Sequence, residues 1–375
     1  MMNISKKSIH DFYAITLLLI MSNSTLIASS TAGVKIRVEE EGSGNPVAGI
    51  PVYSSASPSM KKIQGTVFEG PAENVVKRWT TGVDGLVTVV VPSADGTVGF
   101  VACYGRDADN KSMRDAGYYE AEGVDYKGTE EKLGRWQPWS PTLTIKLKRV
   151  IKPIPMYARH VDTKIPAFGK PCGYDLMKSD WVAPFGKGIH ADVMFELDKR
   201  FEKTVKWESD NYWMRKQNQK ASAYLHDFLF TVTFPNAGDG MQSVFVKKTL
   251  GRYTGLRLPY AAPKDGYQPR IVQRNYRLSV EDKPHEDNKE HRGRDGDQNY
   301  FFRVRTETKY GAVVGALYGK IHDDFEWLTD GTLKFTYYLN PTPNDRNVEF
   351  DPKKNLFGEP SCRVGSDRSM VVGDP

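Results

Sequence analysis

The chain has 375 residues, 39% of them hydrophobic, with 52 Lys and Arg against 46 Asp and Glu and a formal net charge of +6. Its basic residues are interspersed with acids rather than gathered in a run. The charge therefore describes a mixed, solvated surface and excludes nucleic acid as the expected partner, leaving weak attraction to acidic glycans or a cell envelope. A single hydrophobic core rarely serves more than about 250 residues, so two domains are expected.

At the N-terminus, Lys6 and Lys7 precede the apolar stretch Tyr13 to Met21, which falls short of the ~20 residues needed to span a bilayer. Small side chains follow. They stand one and three positions before a cut in two registers, Ser30 with Ala32 and Ala28 with Ser30. Residues 1–32 thus read as a signal peptide, which sends the chain to the periplasm, the cell surface or the medium. No cysteine near the cut offers a lipid anchor. No later stretch reaches ~20 apolar residues, so no transmembrane segment is expected in the mature chain.

Residues 33–149 form the first expected domain. Its strands are Val34 to Val38, Ile50 to Tyr53, Leu86 to Val91, Val98 to Ala102 and Leu143 to Leu147. The first and last alternate apolar and polar side chains with the period of two that half-buried strands require. Gly42-Ser43-Gly44-Asn45-Pro46, Val83-Asp84-Gly85 and Ala94-Asp95-Gly96 supply the turns between them. Gly44, Pro46, Val47, Gly49 and Val52, followed by Thr80, Thr81, Asp84 and Gly85, give this region a resemblance to the carboxypeptidase regulatory-like, transthyretin-like family of β-sandwich modules. The resemblance covers about a third of the chain. It implies an Ig-like sandwich with a structural or adhesive role and no catalytic residues of its own. Two stretches, Tyr53 to Thr80 and Asp107 to Ser140, exceed what that compact pattern needs.

Residues 150–170, with Pro153 and Pro155, read as an extended linker. The second domain, 171–362, again alternates: Ala191 to Leu197, Phe228 to Phe234, Tyr276 to Val280, Tyr300 to Thr306, Gly315 to Ile321 and Leu333 to Leu339. Asp198 to Lys206 is too short, and too β-branched at its end, to be read as a helix. Six strands with polar turns point to a larger, jelly-roll-like sandwich. The fold class is therefore all-β, two β-sandwich domains after a signal peptide, with residues 363–375 a loose tail. Three cysteines leave one thiol over in an oxidising compartment. Cys103 lies in an apolar strand, so the expected disulfide joins Cys172 and Cys362.

Chemistry-bearing constellations are sparse. Trp207, Asp210, Asn211, Tyr212, Trp213 and Arg215 lie between two strands, where aromatic faces could stack on sugar C–H faces and the polar neighbours meet hydroxyls. Trp136 and Trp139 offer similar rings in the first domain. The competing role for all these rings is to plug the ends of a sandwich core. Asp295, Asp297 and Asn299 alternate as oxygen ligands of calcium do, but the loop lacks the closing acid, and Lys289, Arg292 and Arg294 repel a cation. A solvated charged connection is the expectation there, with no cofactor. No nucleophile elbow, His-Glu-x-x-His helix or phosphate loop occurs.

These residues describe an exported, non-enzymatic binding or structural protein of the cell envelope or extracellular space, with glycan as the leading ligand class. The alternative is a carbohydrate-active enzyme carrying an accessory module. A glycosidase needs only two carboxylates, and His322 to Trp327, placed at a strand end, is where they would lie.

Overall fold

The computed structural model describes residues 30–56, 75–93, 95–103, 113–119, 123–208, 211–246, 258–278, 289–291, 297–358, 363–364 and 368–369. Two compact units divide the chain. The first comprises Met1–Ala116 and Ala121–Leu147, the second Gly117–Glu120 and Lys148–Pro375. Both are built from β-strands in facing sheets, so the protein is all-β with sandwich domains.

In the first unit the strands are β1 (Thr31–Glu40), β2 (Pro51–Ala56), β3 (Val75–Thr80), β4 (Leu86–Pro92), β5 (Thr97–Ala102), β6 (Val124–Lys127), β7 (Glu130–Lys132), β8 (Arg135–Gln137) and β9 (Thr142–Leu147). One sheet runs β4-β1-β8-β7 with β9 also on β1, and the other runs β3-β2-β5-β6. β1 is antiparallel to β4 and parallel to β9. Its Ala32, Val34, Ile36 and Val38 are fully buried, as are Val52, Val89, Val98 and Ala102. The stretch from Asp107 to Ser140 contains β6, β7 and β8.

The two turn motifs of this unit are locked together by Thr81. Its hydroxyl donates to the Val47 carbonyl at 2.8 Å and accepts from the Ile50 N–H at 3.0 Å. Backbone bonds from Gly49 N to Thr81 O and from Thr81 N to Ile50 O reinforce the junction. Gly85 adopts φ 70°, and a Cβ there would lie 2.5 Å from the Val38 carbonyl oxygen, so a side chain is barred twice over. Close approach also explains two tryptophans. A Cβ on Gly96 or Gly128 would fall within 3 Å of the Trp136 side chain, and one on Gly33 would fall 2.8 Å from the Trp139 ring. Both indoles are part-buried against glycine backbone, the structural role rather than the sugar-stacking one.

The second unit contains β10 (Tyr157–Lys164), β11 (Cys172–Asp175), β12 (Asp180–Trp181), β13 (Val193–Glu208), α1 (Tyr212–Lys216), β14 (Lys220–Thr233), β15 (Gly240–Phe245), β16 (Arg270–Leu278), β17 (Lys289–His291), β18 (Gln298–Lys309), β19 (Ala312–Trp327) and β20 (Thr332–Asn340). A five-stranded sheet, β10-β20-β19-β18-β15, faces a six-stranded one, β12-β11-β13-β14-β16-β17. Phe195, Phe228 and Phe230 from one sheet join Tyr300, Phe302, Phe325 and Phe335 from the other in the main core.

The five-stranded sheet is covered on its outer face too. Phe301, Tyr318 and Tyr338 pack there with Leu258, Ala262, Val348 and Phe350 from flanking segments. This explains the consecutive aromatics Tyr300-Phe301-Phe302 and Tyr337-Tyr338, which break strict alternation because both faces of their strands are dry. Gly319 sits at the tightest point of that sheet, where a Cβ would collide with the Phe302 ring and the Tyr338 carbonyl.

The expected linker is corrected in two places. The stretch Tyr157 to Pro171 was expected to extend the linker. Within it, Tyr157–Lys164 is β10, paired along its whole length with β20, because Ala158 and Val161 bury into the unit. The remaining proline stretch is tethered as well. Glu349, 1% exposed, accepts from the N–H groups of Ile151 and Lys152 at 2.8 and 2.6 Å and from the Tyr119 hydroxyl at 2.8 Å. His322 to Trp327 forms the last six residues of β19, the strand end expected, and a register shift falls between His322 and Glu326.

Candidate functional site

β13 and β14 are far longer than their neighbours. β11 pairs with β13 only at Val193 to Phe195, and β16 pairs with β14 only from His226 to Thr233. Beyond the Glu202–His226 pair, the two strands form a ribbon that pairs with no third strand among the described residues. Cross-strand partners share a face, so Phe201, Lys203, Val205 and Trp207 lie with Leu225, Ala223 and Ala221 on one side. Glu202, Thr204 and Lys206 lie with Tyr224 and Ser222 on the other.

The ribbon ends in α1. Asn211 caps this helix, its side-chain oxygen accepting from the N–H groups of Trp213 at 3.0 Å and Met214 at 3.4 Å. Five residues suffice for one turn only, and none is buried. Tyr212 and Trp213 are therefore 62% and 65% exposed, their rings edge to face with centroids 5.4 Å apart. The Lys216 ammonium stands 5.6 Å from the Trp213 ring.

Of the residues singled out between these strands, Tyr212, Trp213 and Arg215 share the exposed tip. Trp207 instead lies on β13 opposite Ala221, part-buried. Asn211 spends its side-chain oxygen on the cap. Asp210 lies outside the described residues. Sequence reasoning passed over the charge of the ribbon: seven basic side chains between Lys199 and Lys220 against the acids Glu202, Glu208 and Asp210. Lys199–Glu202 and Lys220–Glu208 are ion pairs of 3.0 Å, which leaves a basic excess around the aromatic tip.

The proposed calcium ligands are placed differently. Asn299 is 0% exposed in β18; its Oδ1 accepts from Asp323 N at 2.9 Å and its Nδ2 donates to Asp297 O at 3.1 Å. Asp295 lies outside the described residues. Among the described residues no cluster of three or more acidic, His or Cys side chains could hold a metal. Cys172 is a buried thiol 3.5 Å from the Lys170 carbonyl, and burial pushes its pKa up. Its suggested partner, Cys362, is also outside the described residues.

The buried carboxylates are held by protein donors. Asp324, 4% exposed, accepts from Gln273 Nε2 at 2.6 Å, the Tyr300 hydroxyl at 2.7 Å and Phe325 N at 2.8 Å. Gln273 in turn accepts from Trp327 Nε1 at 2.7 Å. Asp175 receives the N–H groups of Met177, Lys178, Ile189 and His190 and an Arg305 nitrogen. Burial pushes the Asp239 carboxyl up, although Thr306 N, Arg305 N and Asn236 all donate to it. Their long-range partners, Gln273 and Tyr300 for Asp324 and Arg305 for Asp175 and Asp239, lie tens of positions away and are not legible in the sequence.

No protein-family model and no curated protein matches the chain. Among solved structures, it is similar to the shaft pilin SpaA of Lactobacillus rhamnosus GG over 56% of this chain and 90% of that one, at 11% identity and a TM-score of 0.20. A streptococcal ancillary pilin matches over 86% of this chain and 61% of its own at 12% identity and a TM-score of 0.20. The minor pilin GBS52 of Streptococcus agalactiae matches over 56% and 86% at 14% identity and a TM-score of 0.18. Scores this low leave fold and function to be read from the chain itself.

Proposed function

We propose that the protein is an exported, non-enzymatic binding protein of the cell surface or envelope, and that the tip of the β13–β14 ribbon is its ligand-contacting element. The observation that carries this reading is the exposure of Tyr212 and Trp213 side by side on a single helical turn. Two large rings left in water without a core to fill are expensive unless a ligand covers them. Their faces suit the apolar faces of sugar rings. The surrounding Arg215, Lys216, Lys206 and Lys220 favour a glycan bearing carboxylate or phosphate groups. A binding role is favoured by the engagement of the buried Asp175 and Asp324 carboxylates with backbone and side-chain donors.

The first unit fits the same reading as a transthyretin-like adhesive module. β1 between an antiparallel β4 and a parallel β9, and the interlocked turns at Val47 and Thr81, are what support it.

The test is retention of the full chain on immobilised acidic and neutral glycans. Trp213→Ala is expected to weaken retention on acidic glycans by about tenfold, the loss of one stacked ring. Undiminished retention by Trp213→Ala and Tyr212→Ala, or no retention by the parent chain, would sink the glycan assignment. Release of reducing ends from a polysaccharide would instead favour the enzyme.

A further inference from the structure

We propose that the exported chain is cut between Ser30 and Thr31, leaving Thr31 as its first residue. The inference rests on the export reading above and on where β1 begins. Small side chains permit a cut after either Ser30 or Ala32, and the two registers differ by only two residues. The fold separates them.

Thr31 and Ala32 are integral to the first unit. Thr31 pairs with Pro92 and Ala32 with Val91 in the β1–β4 ladder. The Thr31 N–H donates to the Gly134 carbonyl at 2.9 Å and its hydroxyl reaches the same oxygen at 3.3 Å. Ala32 is 0% exposed. A cut after Ala32 would remove both residues and leave Pro92 and Val91 without their ladder partners.

It would also create an α-ammonium on Gly33. That residue is buried, pairs with Val90, and lies so close to the Trp139 indole that even a Cβ would fall 2.8 Å from the ring. The charged group stacked on the same ring is the Arg135 guanidinium, 4.9 Å from its centroid, a second cation rather than a counter-ion. The new positive charge would stand beside that second cation on a residue the fold packs against the Trp139 ring.

A cut after Ser30 has a milder consequence. It forfeits the hydrogen bond from Ser93 N to the Ser30 carbonyl, 2.8 Å long, which the other cut forfeits as well. The new ammonium falls on Thr31, which is only part-buried. An ammonium there still donates to the Gly134 carbonyl, so that contact survives.

Three measurements test the assignment. The intact mass and N-terminal sequence of the exported protein are expected to begin at Thr31. Ala28→Leu places a large side chain three residues before that cut and is expected to block processing, whereas a cut after Ala32 would be indifferent to it. Full-length chains beginning at Thr31 and at Gly33, released from a cleavable fusion, are expected to differ in melting midpoint by at least about 4 °C, the Gly33 form being lower. An exported chain beginning at Gly33, or normal processing of Ala28→Leu, would overturn the site while leaving export intact. Retention of Met1 in a chain that never leaves the cytoplasm would overturn both.

Discussion

Arg305 and Asp192, 113 positions apart, are joined by two parallel hydrogen bonds, Nε to Oδ1 at 2.7 Å and Nη2 to Oδ2 at 3.0 Å. The same guanidinium reaches Asp175 Oδ1 at 3.3 Å, so one cation compensates two carboxylates whose side chains are each 1% exposed. Replacing Arg305 with Met strands both acids, while replacing Asp192 with Ala leaves Arg305 its bond to Asp175. Arg305→Met should therefore cost more, about 3 kcal/mol or above given that the arginine is partly solvated, and Asp192→Ala less. Urea unfolding of the two variants checks the order; an Asp192→Ala chain less stable than Arg305→Met would contradict it.

The Thr81 hydroxyl makes a second, local prediction. Thr81→Val keeps the shape but orphans the Val47 carbonyl and the Ile50 N–H, both at a buried junction. A loss of about 1–3 kcal/mol is expected, with Thr81→Ser recovering much of it. Amide exchange should accelerate at Ile50 first.

Gly319 tests how tightly the inner face of the five-stranded sheet is packed at Phe302. Gly319→Ala drives a methyl into the Phe302 ring and the Tyr338 carbonyl. Neither the main core nor the outer layer offers room for relaxation, so a cost of at least 1–3 kcal/mol is expected. A chain that melts at the parent temperature would show that the inner face at Phe302 has room to relax.

Acid should weaken the second unit in a defined window. Hydrogen bonds from Arg274 hold the Asp227 carboxyl below its usual range. Burial pushes the Asp175 carboxyl up, but the His190, Ile189 and Lys178 N–H groups together with Arg305 outweigh it and hold it low. A depressed folded pKa gives stability that is present above the unfolded value, about 3.9, and lost as pH falls through the folded one. Urea midpoints should therefore drop between about pH 4 and 2, and Asp227→Asn should flatten part of that drop. Comparison with this variant separates Asp227 from Asp239, whose raised carboxyl contributes with the opposite sign.

Much of this architecture is legible in the chain. Val34-Lys35-Ile36-Arg37-Val38 alternates because β1 has one dry face, and the six strands expected in the second unit overlap β13, β14, β16, β18, β19 and β20. The expected all-β sandwich class is the one observed. β10 was obscured because it follows two prolines and carries Arg159, His160, Asp162 and Lys164, which read as linker until Ala158 and Val161 are seen to bury. The tip is half legible: Tyr212 and Trp213 could be marked as candidate contacts, but a five-residue helix capped by Asn211 leaves too short a periodic signal to find.

Short-range chemistry is what the amino-acid order settles unaided: which residues zigzag, where glycine must turn, and where an apolar leader stops. The partnerships of Arg305, Glu349, Gln273 and Trp139 are decided only in three dimensions. Each depends on side chains that chain order keeps apart and that sheet packing alone brings within hydrogen-bonding or van der Waals reach, and the exposure of Tyr212 and Trp213 likewise follows from two strands outrunning their neighbours.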